Sequence, residues 1–167
     1  LCDATFQVPY AYDPNYVTAI QKIVHDSHAD LIIPSTDYEA YYLARNATLI
    51  PIPIAASPAE VTHFCLDKYR TWEEFTRKRI PFAASLLPSQ FSGQFNRHLV
   101  KPREGRGSRG IHLQPNDPTS FDDSYLVQEL LEGPEITSTF YALENRTVLG
   151  CITMVRELES GNTARAE

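Results

Sequence analysis

The chain has 167 residues, and 15 Lys and Arg face 21 Asp and Glu, so its formal net charge at pH 7 is -6. The apolar fraction of 43% and the charged fraction of 22% are typical of a folded, water-soluble domain and exclude a disordered chain. No apolar run approaches the ~20 residues that span a membrane, and three widely separated cysteines favour free thiols, so a cytoplasmic location is expected.

The first third of the chain alternates between helical and strand patterns. Apolar residues at helical spacing predict an amphipathic helix over residues 14–28. Leu31–Ile33 is a candidate for a short buried strand, and Thr36 with Glu39 has the spacing of a capping box that opens another helix. Strand and helix in alternation predict that residues 1–58 belong to a parallel-sheet α/β domain.

Two more capping-box patterns follow, Ser57 with Glu60 and Thr71 with Glu74, and each predicts the start of a helix. After Ile80 and Pro81 the pattern changes to strands. We therefore interpret residues 59–80 as a helical connection between two domains.

Residues 81–167 are predicted to be mainly β. Four short strands are expected, at Phe82–Leu87, Leu99–Pro102, Ile111–Leu113 and Tyr125–Glu129. Two longer runs, Ile136–Leu143 and Val148–Val155, are rich in β-branched and aromatic residues and predict an antiparallel hairpin. Residues 160–167 are polar with no predicted element, and the chain lacks an initiator Met, so a fragment of a longer protein is expected.

A basic, glycine-rich loop follows the strand that ends near Lys101. Residues 101–110 hold four cations, one acid and three of the seven glycines, whereas the rest of the chain holds 11 cations and 20 acids. Glycine lets the main chain approach a ligand closely, and a basic loop on an acidic protein suits a compact polyanion such as a nucleoside triphosphate. The lysine precedes the glycines, which excludes the Walker-type phosphate loop.

Three motifs occur in a fixed order along the chain. They are Asp67-Lys68, then Leu99-Val100-Lys101-Pro102 with Gly105-x-Gly107-Ser108-x-Gly110-Ile111, then Val127-Gln128-Glu129-Leu130-Leu131-Glu132-Gly133-Pro134-Glu135-Ile136. Together they resemble the ATP-grasp superfamily, most closely the branch related to the carbamoyl-phosphate synthase large chain. The resemblance implies an α/β domain joined to an α+β domain. Residues 1–58 would end a parallel-sheet, Rossmann-like pre-ATP-grasp domain, and residues 81–167 would form part of the small, mainly antiparallel ATP-grasp subdomain.

The resemblance also implies an activity and a set of ATP ligands. Members activate a carboxylate as an acyl phosphate, which an amine or similar nucleophile attacks, and they release ADP. Lys101 matches the lysine on the α- and β-phosphates, and Lys68 matches a second phosphate ligand. The lid over the phosphates matches Gly105, Gly107, Ser108 and Gly110.

The remaining matches concern the nucleoside and the transferred phosphate. Glu129, Leu130 and Leu131 match the segment whose main chain binds adenine, and Glu135 matches the acid on the ribose hydroxyls. Arg156 is a weaker match to a basic residue near the transferred phosphate, and an ion pair with Glu157 or Glu159 is the alternative. Arg103, Arg106 and Arg109 are further candidates for stabilising phosphate charge.

Magnesium is expected to be bound outside this chain. The family holds Mg²⁺ with a late glutamate and a Glu-x-Asn strand, and no such pair follows Thr163. We therefore assign no metal ligand within the chain and expect it to be inactive on its own.

Three alternatives to a carboxylate–amine ligase stay open. One is phosphorylation of bicarbonate, as in carbamoyl-phosphate synthase, and another is a nucleotide-binding module without catalysis. The third is an RNA-binding Arg-Gly loop, which the net negative charge and the lack of interleaved aromatic residues disfavour. The expected partners are thus ATP and a carboxylate or bicarbonate, with no nucleic acid or membrane, in a possible homodimer.

Overall fold

The computed structural model describes residues 2–105, 107–143, 145–159 and 162–166. Its contacts divide the chain into two units, Leu1–Pro81 and Phe82–Glu167. No helix among the described residues is long and apolar enough to cross a lipid bilayer.

The first unit is helical. Its helices are α1 (Tyr16–Ser27), α2 (Asp37–Arg45), α3 (Ala59–Leu66) and α4 (Lys68–Arg77). A buried cluster of Ala11, Tyr16, Leu43 and Ile50 forms its core. Burial, and then the nearby charge of Glu39, raises the pKa of Tyr16 to about 12.

The predicted strand at Leu31–Ile33 is wrong as an extended strand. Ile32 instead forms an isolated parallel bridge with Ile54, in which the Ile32 N–H donates to Pro53 O at 3.0 Å. Proline has no N–H to offer a sheet, and Pro34 and Pro53 both lie in the pairing segments. Within the described residues, the predicted parallel sheet is thus limited to one bridge.

Of the three predicted capping boxes, the one at α2 is confirmed in its cap residue, Thr36. The Thr36 hydroxyl accepts a hydrogen bond from the Glu39 N–H at 3.2 Å, and it donates to the Glu39 carboxylate at 3.0 Å. At α3 the capping residue is Pro58, which makes no side-chain bond, so the prediction from Ser57 and Glu60 is wrong in its cap.

The third box, Thr71 with Glu74, is wrong in its position. Helix α4 begins four residues earlier, because the Asp67 carboxylate accepts bonds from the N–H groups of Tyr69 and Arg70. Thr71 then lies inside the helix, where its hydroxyl donates to Phe64 O at 2.8 Å. An acid that satisfies two N–H groups competes successfully with the hydroxyl as a cap.

The second unit contains two antiparallel sheets. The first sheet has the order β1-β4-β2-β3, with strands β1 (Ser85–Leu86), β2 (His98–Pro102), β3 (His112–Leu113) and β4 (Tyr125–Glu129). Strands β2 and β4 pair along their full length, and Val100, Leu126 and Val127 are completely buried there. The outer strands β1 and β3 are shorter than predicted, because each pairs on one side through two residues.

The second sheet confirms the predicted hairpin and extends it. It comprises β5 (Ile136–Ala142), β6 (Val148–Glu159) and β7 (Asn162–Ala166), in that order. Strand β7 lies in the polar segment for which no element was predicted. It is an edge strand of polar and small residues, so the hydrophobic alternation that marks a strand in a sequence is missing.

Candidate functional site

Lys101 lies near the end of β2, directly opposite Leu126 on β4. Its Nζ donates to Gln128 Oε1 at 2.7 Å. The neighbouring residues Val100 and Val127 are completely buried, so both strands are anchored at this point. The ammonium is therefore bonded to a side chain of β4, the strand that ends at Glu129.

Gln128 is the centre of a hydrogen-bonded series that the sequence patterns did not identify. Gln128 is 8% exposed, and its Nε2 donates to Ser85 Oγ at 2.9 Å. Ser85 is completely buried, and its hydroxyl donates to Ala83 O at 3.1 Å. Residues 85 and 128 face each other in the β1–β4 register, and knowledge of that register is the signal that would have revealed this contact.

The segment Glu129–Leu131 is fixed at its start and exposed at its end. The Glu129 N–H donates to Ala84 O at 2.9 Å, and the Glu129 carboxylate accepts from the Ala84 N–H at 2.8 Å. The Leu130 N–H donates to Arg97 O at 3.0 Å. Leu131 is 66% exposed, and its N–H and C=O have no hydrogen-bond partner within the part of the chain that the structure describes.

The glycine-rich loop after β2 contains several residues with left-handed backbone. Gly107, Ser108 and Gly110 have φ values of 61°, 54° and 71°. A Cβ on Gly110 would lie 3.0 Å from Cγ of Pro102, so a larger residue there would meet both strain and a close contact. Gly105 begins this loop.

The arginines of this loop differ in their placement. The Arg103 N–H donates to Ser124 O at 2.9 Å, and its Nη1 lies 3.3 Å from Asp123 O, so its guanidinium contacts the turn before β4. Arg109 is exposed. Arg106, another predicted contributor to phosphate binding, lies outside the described residues.

Glu135 and Arg156, two predicted ligands of the nucleotide, contact each other. Arg156 Nη1 lies 3.4 Å from Glu135 Oε1 and donates to Thr137 Oγ1 at 3.0 Å. The predicted pair between Arg156 and Glu157 is not formed, because adjacent side chains of a strand point to opposite faces. The side chain of Glu159, the other predicted partner, lies outside the described residues. Nε of Arg156 is buried and has no partner among the described residues.

Lys68, the second predicted phosphate ligand, belongs to the first unit. It is the first residue of α4 and is half-buried. The capping residue Asp67 precedes it and is 4% exposed. The lysine therefore sits at the beginning of a capped helix.

No group of three or more His, Cys, Asp or Glu side chains within the described ranges is arranged to hold a metal ion. We derive no chemistry through a metal from this part of the chain.

Several solved structures are similar to the chain in fold. The L-amino acid ligase of Bacillus licheniformis has a TM-score of 0.65 at 13% identity, covering 89% of this chain and 38% of that protein. The N5-carboxyaminoimidazole ribonucleotide synthetase of Thermus thermophilus has a TM-score of 0.63 at 11% identity, covering 93% of this chain and 44% of that protein. The D-alanine–D-alanine ligase of Bacillus anthracis complexed with ATP has a TM-score of 0.52 at 18% identity, covering 84% of this chain and 53% of that protein. Identities this low show a shared fold.

The chain spans between 38% and 58% of the length of such solved proteins. No curated protein sequence is significantly similar to it. The sequence model of the ATP-grasp domain, however, matches residues 65–162, which is more than half of the chain and includes both β2 and β4. This chain therefore belongs to the ATP-grasp domain family.

Proposed function

We propose that this chain is the ATP-binding part of a ligase that activates a carboxylate as an acyl phosphate for attack by an amine, with release of ADP. One observation carries the proposal. The ammonium of Lys101 lies 2.7 Å from Gln128, the residue that directly precedes the segment Glu129–Leu131. The cation thus contacts β4, and Leu131, whose main-chain groups have no partner among the described residues, follows two residues after that strand ends. A phosphate ligand and a base ligand joined through one strand support binding of a nucleotide.

Each proposed ligand has chemistry that suits its part of ATP. The Lys101 ammonium donates to a phosphate oxygen, a charge-assisted bond that contributes about 1.5–3 kcal/mol. The N–H and C=O of Leu131 can pair with the edge of the adenine ring, since they have no other partner among the described residues. The Glu135 carboxylate accepts from ribose hydroxyls, and Arg156, whose Nη1 lies 3.4 Å from Glu135 Oε1, holds that carboxylate in place.

The loop from Gly105 to Gly110, which includes Gly107 and Ser108, is proposed to close over the phosphates and exclude water from the activated acid. Lys68 is proposed as a second phosphate ligand. Magnesium is proposed to be bound by residues outside this chain, which would leave the chain inactive alone.

The acceptor is the least constrained part of the proposal. Similarity to ligases of amino acids supports a carboxylate, and the resemblance of the motifs to carbamoyl-phosphate synthase leaves bicarbonate as the alternative. ADP formation with and without an added organic acid separates the two, because phosphorylation of bicarbonate needs no organic acid. Cytoplasmic location and a homodimer stay predictions.

Titration calorimetry of the 167-residue chain with ATP tests the proposal. We expect binding, and we expect Lys101→Ala to weaken it about 10- to 100-fold, the equivalent of one charge-assisted bond. Lys22→Ala is the matched control, because it removes the same charge from an exposed lysine paired with Asp26.

Equal ATP affinity of the wild type and the Lys101→Ala variant would contradict the site assignment. Salt-sensitive RNA binding that ATP does not affect would favour the Arg-Gly loop as an RNA contact instead. For the activity itself, a longer protein that contains this chain should form ADP only when its carboxylate is added.

A further inference from the structure

The orientation of the Gln128 amide is determined by its neighbours. A lysine ammonium only donates hydrogen bonds, so the atom of Gln128 that lies 2.7 Å from Lys101 Nζ must be the amide oxygen. The amide NH₂ then faces Ser85 Oγ at 2.9 Å. Because that hydroxyl accepts from Gln128, its own proton is directed to Ala83 O at 3.1 Å.

This series is buried and is held by the sheet. Gln128 is 8% exposed and Ser85 is completely buried, and both residues lie on paired strands. A buried polar side chain is stable when its groups are paired, so the Gln128 amide has little freedom to turn. The lysine is therefore placed by a rigid acceptor rather than by solvent.

We propose that Gln128 is a positioning residue that, together with Ser85, orients the Lys101 ammonium for the phosphates of a nucleotide. The inference rests on the proposed function. An amide carries no net charge, so Gln128 directs the ammonium without itself offsetting the positive charge. An ammonium has three N–H donors, so it can keep Gln128 as a partner while it donates to a phosphate oxygen.

The neutrality of residue 128 makes the inference distinct from a simple packing role. A glutamate at this position has the same reach and still accepts from Lys101, and the Ser85 hydroxyl, which accepts from the amide of Gln128, can donate to the carboxylate instead. It adds a negative charge next to the phosphate site. A leucine has a similar volume and removes the acceptor altogether. The two substitutions therefore separate the charge of the holder from its hydrogen bond.

The test compares ATP with adenosine, which has the same base and ribose but no phosphate. Dissociation constants for both are measured by calorimetry on the full chain, with the thermal unfolding midpoint of each variant. The variants are Gln128→Glu, Gln128→Leu and Ser85→Ala. Gln114→Glu is the matched control, because this exposed amide also accepts a bond, from the His98 N–H at 2.9 Å, and receives the same change of charge.

We expect Gln128→Glu to weaken ATP binding about 10-fold or more and to leave adenosine binding within about 2-fold, since the added negative charge opposes the phosphates, which adenosine lacks. Ser85→Ala should weaken ATP binding to a smaller extent, with the same selectivity, because it frees the amide to turn. Gln128→Leu should lower both ATP affinity and the unfolding midpoint. Gln114→Glu should match the wild type.

ATP affinity of Gln128→Glu equal to that of the wild type, with Lys101→Ala weakened, would overturn this inference and leave the proposed function intact. Equal losses for ATP and adenosine would overturn it as well, because they indicate a general structural role. Failure of Lys101→Ala to weaken ATP binding would instead count against the proposed function.

Discussion

At the scale of single residues, two glycines of the loop after β2 distinguish a constraint on backbone conformation from a constraint on space. Gly107 and Gly110 both have positive φ, at 61° and 71°. A Cβ on Gly110 would approach Pro102 to 3.0 Å, whereas a Cβ on Gly107 would meet nothing within 4 Å. Gly110 is thus required both for its backbone conformation and for the space beside Pro102.

Gly110→Ala should therefore cost more stability than Gly107→Ala. Each substitution costs about 1–2 kcal/mol for a left-handed alanine, and Gly110→Ala must in addition displace Pro102. Urea unfolding of both variants measures the difference in the free energy of unfolding. Equal losses would mean that the loop relaxes away from Pro102 at no cost.

His98 offers a second test at this scale. Both of its ring nitrogens are buried and lack hydrogen-bond partners among the described residues, and the centre of the ring lies 5.2 Å from the centre of the Phe91 ring. Unpaired buried polar atoms cost about 1–3 kcal/mol, so His98→Leu should raise the free energy of unfolding by about 1 kcal/mol.

Chemical denaturation provides the measurement for His98→Leu, with His112→Leu on the neighbouring strand as the control. His112 is exposed, so its change should stay within about 0.5 kcal/mol. A loss of stability in His98→Leu would show that its nitrogens have partners in solution.

At the scale of elements, helix α4 shows how competing local signals are resolved. The spacing of Thr71 and Glu74 predicted a cap, but Asp67 caps the helix and Glu74 pairs with the cations that follow it. Sequence spacing identifies candidate caps, but it does not show which candidate accepts hydrogen bonds from the first N–H groups of the helix. The same limit applies to β7, whose pairing depends on backbone atoms that no side-chain pattern reports.

The ion pairs of α4 should make its contribution to stability dependent on acid. Hydrogen bonds from Arg77, and then from Lys78, lower the pKa of Glu74 from 4.5 to about 2. A carboxyl whose pKa is lower in the folded state stabilises the fold above its unfolded pKa and loses that contribution as the carboxylate is protonated. The loss should therefore occur as the pH falls from about 4.5 towards 2.

Thermal unfolding at a series of pH values from about 5 to 2 tests this dependence. The unfolding midpoint of the wild type should fall more steeply across that window than the midpoint of Glu74→Gln. Glu73→Gln, at the adjacent exposed position, should retain the wild-type slope. Parallel curves for all three proteins would rule out a contribution from Glu74.

At the scale of the whole molecule, the sequence predicted the candidate ligands but not the side chains that hydrogen-bond to them. Lys101 and Glu129–Leu131 were predicted from a basic loop and an ordered set of motifs, and strands β2 and β4 lie side by side. Ser85 and Gln128 are separated by 43 residues, and their hydrogen bond depends on strand register. A resemblance to known motifs predicts which residues bind a ligand. Strand register is known only from the folded sheet.

The mixture of helices and antiparallel sheets was also predictable, because helical spacing and the β-rich hairpin are strong signals. The parallel sheet predicted for residues 1–58 from Leu31–Ile33 is, among the described residues, limited to the bridge between Ile32 and Ile54. A three-residue apolar run bounded by proline forms a bridge as readily as a strand.

The central claim is that Lys101 and the segment Glu129–Leu131 bind one adenine nucleotide. Photolabelling with 8-azido-ATP, followed by peptide mass spectrometry, tests it most directly. The claim predicts a label in the peptide containing Glu129–Leu131, suppressed by excess ATP and strongly reduced in Lys101→Ala. Label confined to other peptides, or equal labelling of this peptide in wild type and Lys101→Ala, would contradict it.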